Sequence, residues 1–176
     1  MYTGIVLGTE KVCALDKHTG YNTLTLSNNK GFLDDVFTGA SVAINGVCLT
    51  VTEILAQQKQ VKFDIAEQTN QLTTLADLKP NDDVNVERSF KLGMENGGHN
   101  IYGHIEGTAH IHHLVRHGDT LHLELKIPAD KMQYFFHKGF IWLHGCSLTV
   151  NQVDHANNLI AVDLIPETIR ITTFKS

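Results

Sequence analysis

Little in this sequence points to a disulfide framework, a membrane span or a nucleic-acid footprint. Its three cysteines, Cys13, Cys48 and Cys146, are an odd number without C-x-x-C spacing. They read as reduced thiols of a cytoplasmic protein, not as a bridged or zinc-holding set. Positive charge is not in excess: 14 basic against 19 acidic residues give a net charge of -5 with histidine neutral. That balance lacks the electrostatic signature of a nucleic-acid binder. No apolar run approaches the ~20 residues that cross a bilayer, and the opening Met1-Tyr2-Thr3-Gly4-Ile5-Val6 has no basic, cleavable leader. Charged residues are 19% and mixed in sign, which excludes a disordered chain. What is present is apolar mass. Of 176 residues, 42% are hydrophobic, enough to bury the core of one ordinary domain or two small ones.

The chain is a repeat. Shifted by 99 positions, Gly4-Ile5-Val6-Leu7-Gly8-Thr9 falls on Gly103-His104-Ile105-Glu106-Gly107-Thr108. The same shift lays Gly46-Val47-Cys48-Leu49-Thr50-Val51 on Gly145-Cys146-Ser147-Leu148-Thr149-Val150. It also lays Asp64-Ile65-Ala66-Glu67-Gln68-Thr69 on Asp163-Leu164-Ile165-Pro166-Glu167-Thr168. Several blocks at one offset mark a duplicated module. The division expected is a first barrel over 1–90, a linker over 91–98 and a second barrel over 99–176.

Each module reads as β structure. Runs rich in Val, Ile, Thr and Phe over 41–44, 47–54, 61–65 and 84–86 are bounded by Gly, Asn and Asp. The second half matches them over 107–115, 121–127, 140–143, 147–153 and 159–164. Asn45-Gly46 and its counterpart His144-Gly145 sit where hairpins turn. Short helical pattern is confined to 129–137 and 32–37. Many short strands closing on themselves predict an all-β fold with a small antiparallel barrel in each half. The same offset would place the partner of strand Val84-Asn85-Val86-Glu87 near position 183, beyond Ser176. The expectation is therefore a second barrel without its closing strand, and a chain that catalyses weakly while binding ligand in its first barrel.

Taken in order, Tyr2-Thr3-Gly4-Ile5-Val6, Gly39-Ala40-Ser41-Val42-Ala43, Asn45-Gly46-Val47-Cys48-Leu49-Thr50-Val51, Gly97-Gly98-His99, Gly103-His104, Ser147-Leu148-Thr149-Val150 and Ile165-Pro166-Glu167-Thr168 resemble the α-chain type of the riboflavin synthase family. The resemblance covers essentially the whole chain. It implies two tandem homologous six-stranded antiparallel Greek-key barrels and a C-terminal helix that builds a homotrimer. It also implies dismutation of two molecules of 6,7-dimethyl-8-ribityllumazine into riboflavin and 5-amino-6-ribitylaminouracil, with no metal or organic cofactor and with lumazine synthase as an associated protein. Two sites for one ligand suit a reaction between identical molecules.

By the same resemblance, Ser41, Cys48 and His104 are the catalytic candidates. His104 would shuttle a proton of the acidic lumazine C7 methyl, and Cys48 or Ser41 would serve the acceptor ring. A further family aspartate belongs to the absent closing strand. The first ligand site is expected to gather Gly4, Ile5 and Val6 with Cys48, Leu49 and Thr50 and with Asp64, Ile65, Ala66, Glu67, Gln68 and Thr69. The second is expected to gather Gly103, His104 and Ile105 with Ser147, Leu148 and Thr149 and with Asp163, Leu164, Ile165, Pro166, Glu167 and Thr168, while Lys138 reaches a neighbouring site.

Plainer readings stand beside these. In an apolar strand Cys48 alone would be a structural thiol, and Cys146, aligned with Val47, should face the other way from Ser147. His110, His112 and His113 align with a stretch holding no ligand type but Cys13, and alternation puts His110 and His112 on one solvent face; no metal site is expected there. Gly97 and Gly98 lack a Walker lysine and read as turns. Tyr2 stands where the family usually has phenylalanine, Tyr102 where it has a small residue, Gln68 where glutamate is common and His144 where it has aspartate. The rival reading is a non-catalytic relative, like the antenna-type lumazine proteins, which lose one of the two sites. Here the motifs of both are present.

Overall fold

In a computed structural model describing residues 1–175, the regular secondary structure is mostly strand, with a few short helices. The first half runs β1 (Gly8–His18), β2 (Tyr21–Ser27), β3 (Ser41–Ile44), β4 (Val47–Leu55), β5 (Gln60–Ala66), the short helix α1 (Glu67–Leu72) and β6 (Asp83–Arg88). The second runs β7 (His110–His117), β8 (Thr120–Lys126), β9 (Phe140–Leu143), β10 (Cys146–Asp154), β11 (Leu159–Leu164) and α2 (Pro166–Ile171). β1 to β6 close a barrel in the order β1-β2-β5-β4-β3-β6. The second sheet repeats that order one strand short, β7-β8-β11-β10-β9, with β7 and β9 as its edges. The first module is thus a closed barrel, and the second, expected without its closing strand, is a five-stranded sheet.

Period-two alternation explains the barrel. In β4, Val47, Leu49 and Val51 point inward and are buried, while Cys48 is half-covered and Thr50 exposed. Val42, Ile44, Phe63 and Ile65 meet them in the first core. Cys146, Leu148 and Val150 do the same in β10 and join the second core with Leu123, Val162 and Leu164. Both hairpin turns use paired left-handed residues, Asn45 (φ 48°) with Gly46 (φ 86°) and His144 (φ 52°) with Gly145 (φ 91°), which matches the right-handed twist of the strands. Even the bulges repeat: the register slips between Val12 and Ala14 and again between Ile111 and His113. It slips likewise between Val51 and Glu53 and between Val150 and Gln152.

Three details differ from the sequence reading. The pattern over 32–37 forms turns, and that over 129–137 shrinks to a 3₁₀ stretch, Ala129–Tyr134. Residues 107–109 stay outside β7, which begins at His110. The bulge in β7 breaks simple alternation, so His110, His112 and His113 are all exposed on an edge strand and do not sort to two faces.

The two halves exchange their leading segments. Val6 lies in the second core, and Ile105 packs against the first. Between them Tyr2 and Ile101, 99 positions apart, pair with each other: Tyr2 N–H donates to the Ile101 carbonyl at 2.7 Å and Ile101 N–H to the Tyr2 carbonyl at 3.0 Å. The hairpin tips meet on the same line, since a Cβ on Gly46 would fall 2.6 Å from the Gly145 nitrogen. Residues equivalent by the repeat touching one another mark a pseudo-twofold axis.

Candidate functional site

The outer face of the barrel carries the polar candidates. Register pairs Ser41 with Thr50, Thr50 with Asp64 and Asp64 with Thr23, so one row of hydroxyls and a carboxylate crosses β3, β4, β5 and β2. Cys48, two residues before Thr50, shares that face. The Thr23 hydroxyl donates to Asp64 Oδ1 at 2.8 Å. In the second half Phe140 pairs with Thr149, Trp142 with Ser147, and Asp163 with His122. There Asp163 is held twice, by His122 Nδ1 at 2.6 Å and by the Asn151 amide at 2.6 Å.

The segment exchange regroups the expected sites. Gly4 lies against Ser147, not Cys48: the Ser147 N–H donates to the Gly4 carbonyl at 2.9 Å. Symmetrically, the Cys48 N–H donates to the Gly103 carbonyl at 3.0 Å. The geometry therefore gathers one half-site from Cys48, Leu49, Thr50, the run from Asp64 to Thr69 and Gly103, His104, Ile105. The other gathers Ser147, Leu148, Thr149, the run from Asp163 to Thr168 and Gly4, Ile5, Val6. The expected pairing of the glycine segments was inverted, because identical motifs satisfy the same local rules on either strand pair.

Glycine is required at both crossings. Gly4 (φ 76°) and Gly103 (φ 78°) occupy the left-handed region, and a Cβ would lie 2.5 Å from Ser147 Cβ and 2.6 Å from Cys48 Cβ respectively. Glu87 at the end of β6 locks the first of these turns. Its buried carboxylate accepts from Thr3 N–H (2.6 Å), the Thr3 hydroxyl (2.9 Å) and Gly4 N–H (3.1 Å). Burial raises the Glu87 carboxyl above its ordinary value, and those same hydrogen bonds oppose the rise.

Around the two equivalent positions the partners diverge. The Tyr2 hydroxyl donates to Cys48 Sγ at 3.1 Å. Burial, then the Cys48 contact, pushes that phenol upward, so it stays a donor. Ser89 bonds the Ser41 carbonyl at 2.7 Å, which fixes β3 beside this pair. At Ser147 the hydroxyl meets Nδ1 of His99, whose ring stacks on Phe140 with centroids 4.0 Å apart. Cys146 points away into the second core, and burial pushes its thiol up to about 12, with Glu87 adding to the rise. Ile65 and Leu164 are fully buried, so only their backbones can face a ligand. Glu167 is engaged by Arg170 at 2.6 Å, and that contact lowers its carboxyl. His104 and Lys138 are exposed. Lys138 holds a left-handed φ of 64° where the first half has Gly39. Sequence reasoning overlooked His99, Glu87, Thr23 and His122. Of these, Thr23 and His122 are 99 positions apart and so carried a signal in the repeat.

The arrangement offers two related surfaces with backbone amides, carbonyls, hydroxyls and a carboxylate, suited to a heterocycle bearing a polyol chain. Among the described residues no helix is long and apolar enough to cross a membrane.

Comparison with known proteins agrees with this chemistry. The lumazine binding domain family matches residues 3–89 and 102–176. The chain is 42% identical over 174 residues to the riboflavin synthase of Escherichia coli (strain K12), covering 98% of this chain and 80% of that protein. Against the riboflavin synthase of Bacillus subtilis (strain 168) it is 34% identical over 174 residues, covering 99% and 79%. In structure it is similar to LumP complexed with riboflavin, with a TM-score of 0.87 at 27% identity over 98% of this chain and 91% of that one. LumP complexed with 6,7-dimethyl-8-(1'-D-ribityl) lumazine gives a TM-score of 0.86 at 25% identity over 99% and 92%.

Proposed function

The chain belongs to the lumazine binding domain family, and from that premise we infer that it catalyses the riboflavin synthase reaction. Two molecules of 6,7-dimethyl-8-ribityllumazine exchange a four-carbon unit, leaving riboflavin and 5-amino-6-ribitylaminouracil. What supports this reading is a pair of related but non-identical polar surfaces in one chain, built on equivalent strands and equivalent glycine crossings. Equivalent frames bind the same molecule twice; unlike side chains let one copy give and the other receive.

Strand backbone at Cys48, Thr50, Ser147 and Thr149 would read the pyrimidine edge. Asp64 and Asp163, each already positioned by a neighbour, would take ribityl hydroxyls. Two ligand-binding units, 1–90 and 99–176 joined by 91–98, follow from the repeat. Both half-sites lie on outer faces, so two ligands stack when the first half-site of one subunit meets the second of another, within a homotrimer. Holding the rings together would supply much of the rate. The protein works in the cytoplasm as a transferase, with lumazine synthase as an associated supplier.

Incubation of the purified chain with the lumazine and a chelator tests this. Flavin absorbance should appear with one riboflavin for each two lumazines consumed. Saturable lumazine binding without any flavin would replace the enzyme by a binding protein of the LumP kind.

A further inference from the structure

The polar row on the first face runs one strand further than the half-site needs. Register pairs Thr50 with Asp64, Asp64 with Thr23 and Thr23 with Asp16, so the row crosses β4, β5, β2 and β1. Over its outer end lies a cleft of about 460 Å³, walled by Thr23 and Asp64 and also by Asp16, Glu53 and Lys62. His18 stacked on Tyr21, with centroids 4.6 Å apart, completes the wall. Lys62 Nζ is paired with Glu53 Oε2 at 2.7 Å. That hydrogen bond raises the Lys62 ammonium above its ordinary value, and the charges of Glu53, Asp16 and Asp64 add to the rise. Three carboxylates against one ammonium leave two negative charges in the cleft, with His18 neutral. The 99-residue shift turns Asp16, Glu53 and Lys62 into Val115, Gln152 and Ala161. The second face therefore keeps Asp163, bonded to His122, with Glu124 3.9 Å from that imidazole.

We propose that Asp16 and Glu53 set the charge specificity of the first half-site, which takes a ribityl chain with a free hydroxyl end and rejects the same chain ending in a phosphate. The proposal rests on the riboflavin synthase reading and deepens it, by confining this half-site to unphosphorylated lumazine and riboflavin. Neighbouring strands lie about 4.8 Å apart. A five-carbon chain that starts between Thr50 and Asp64 therefore ends by Thr23, one strand short of Asp16. A terminal phosphate carries close to two negative charges at neutral pH. Placed there, it meets the uncompensated charge of the cleft and reaches Lys62 only by breaking the Glu53 pair. Repulsion at this range in a solvated cleft is worth about tenfold in affinity at low salt. A hydroxyl end carries no charge to repel. The second face, with Val115 and Gln152 in these places, discriminates less.

Titration of the whole chain with riboflavin and with riboflavin 5'-phosphate, followed by amide NMR shifts, reads the half-sites separately. Thr50 and Asp64 report the first, Thr149 and Asp163 the second. At low ionic strength riboflavin should bind the first half-site about tenfold more tightly than its phosphate. Raising the salt to about 0.5 M should shrink that gap to about threefold or less. Glu53→Gln frees Lys62 and should close most of the gap by itself, and Asp16→Asn should narrow it. Both positions are exposed, so riboflavin affinity should stay within about twofold in either variant. Equal affinities, or tighter binding of the phosphate, would overturn the proposal. So would a gap that ignores both salt and Glu53→Gln, since the exclusion would then be steric. Riboflavin that shifts only Thr149 and Asp163 would overturn it as well. If riboflavin shifts neither set and lumazine is not converted, the riboflavin synthase reading itself fails.

Discussion

Across the pseudo-twofold axis the backbone repeats down to its bulges, but the side chains laid on it do not. The first face presents Ser41, Cys48, Thr50, Asp64 and Thr23, and the second Phe140, Ser147, Thr149, Asp163 and His122. The two faces share their middle, a threonine and an aspartate. The differences fall at the ends and at the thiol–hydroxyl position, where Tyr2 attends Cys48 and His99 attends Ser147. Duplication gave the chain two places for one molecule. Divergence at a few positions then allows those places to do different things to it.

The comparison breaks most visibly at the glycine crossings. Gly4→Ala and Gly103→Ala should each abolish measurable flavin formation and cost about 2 kcal/mol or more of stability, through the left-handed φ and the collision with the facing strand. Urea unfolding and steady-state assays of both variants check this, and a tolerated alanine at either position would show that the two crossings are not equivalent.

Next come the thiols. Cys48→Ser copies the second half-site into the first and should slow turnover by tenfold or more, about 1.4 kcal/mol of barrier, with unfolding little changed. Cys146→Ser puts a hydroxyl into the second core and should lower stability by about 1–3 kcal/mol, with kcat unaffected. Matching kinetic losses from the two would mean that the faces have been misassigned.

A smaller effect concerns acid. Burial holds the His144 imidazole below its ordinary value, while Asn45 occupies the same turn in the first half. As pH falls below about 6.5 the unfolded chain takes up this proton before the folded one, so stability declines. His144→Asn should flatten the fall of the urea midpoint between pH 7 and 5; an unchanged slope would remove His144 as its source. Smallest of all is Lys138→Gly, which gives the second half the residue of Gly39. Relief of the left-handed φ and the added freedom of the unfolded chain nearly cancel, so thermal unfolding should shift by less than about 1 kcal/mol. A drop in lumazine affinity there would assign the lysine to ligand binding.

Much of the fold was legible because strands announce themselves locally. Val47, Leu49 and Val51 alternate with Cys48 and Thr50 in the sequence as they do in the barrel, and Asn45-Gly46 turns where its φ preferences require. The opposite orientation of Cys146 and Ser147 followed from a single-residue phase shift. Contacts such as Tyr2 with Cys48, Glu87 with the Thr3–Gly4 turn and His99 with Ser147 were not legible, because each joins residues 46 to 84 positions apart through a fold that must already exist.

By itself the sequence determined the repeat, the strands, the turns and the residues that could face a ligand, since each depends on neighbours within a few positions. Only the tertiary structure decided which glycine segment completes which half-site. A duplicated sequence is unchanged by exchanging its halves, so Gly4 fits Cys48 as well as Ser147 by every local rule. The choice is made where Val6 enters the second core, Ile105 packs on the first, and Tyr2 pairs with Ile101 across the axis. Those contacts bury apolar side chains and satisfy backbone groups together, and no local pattern records that balance.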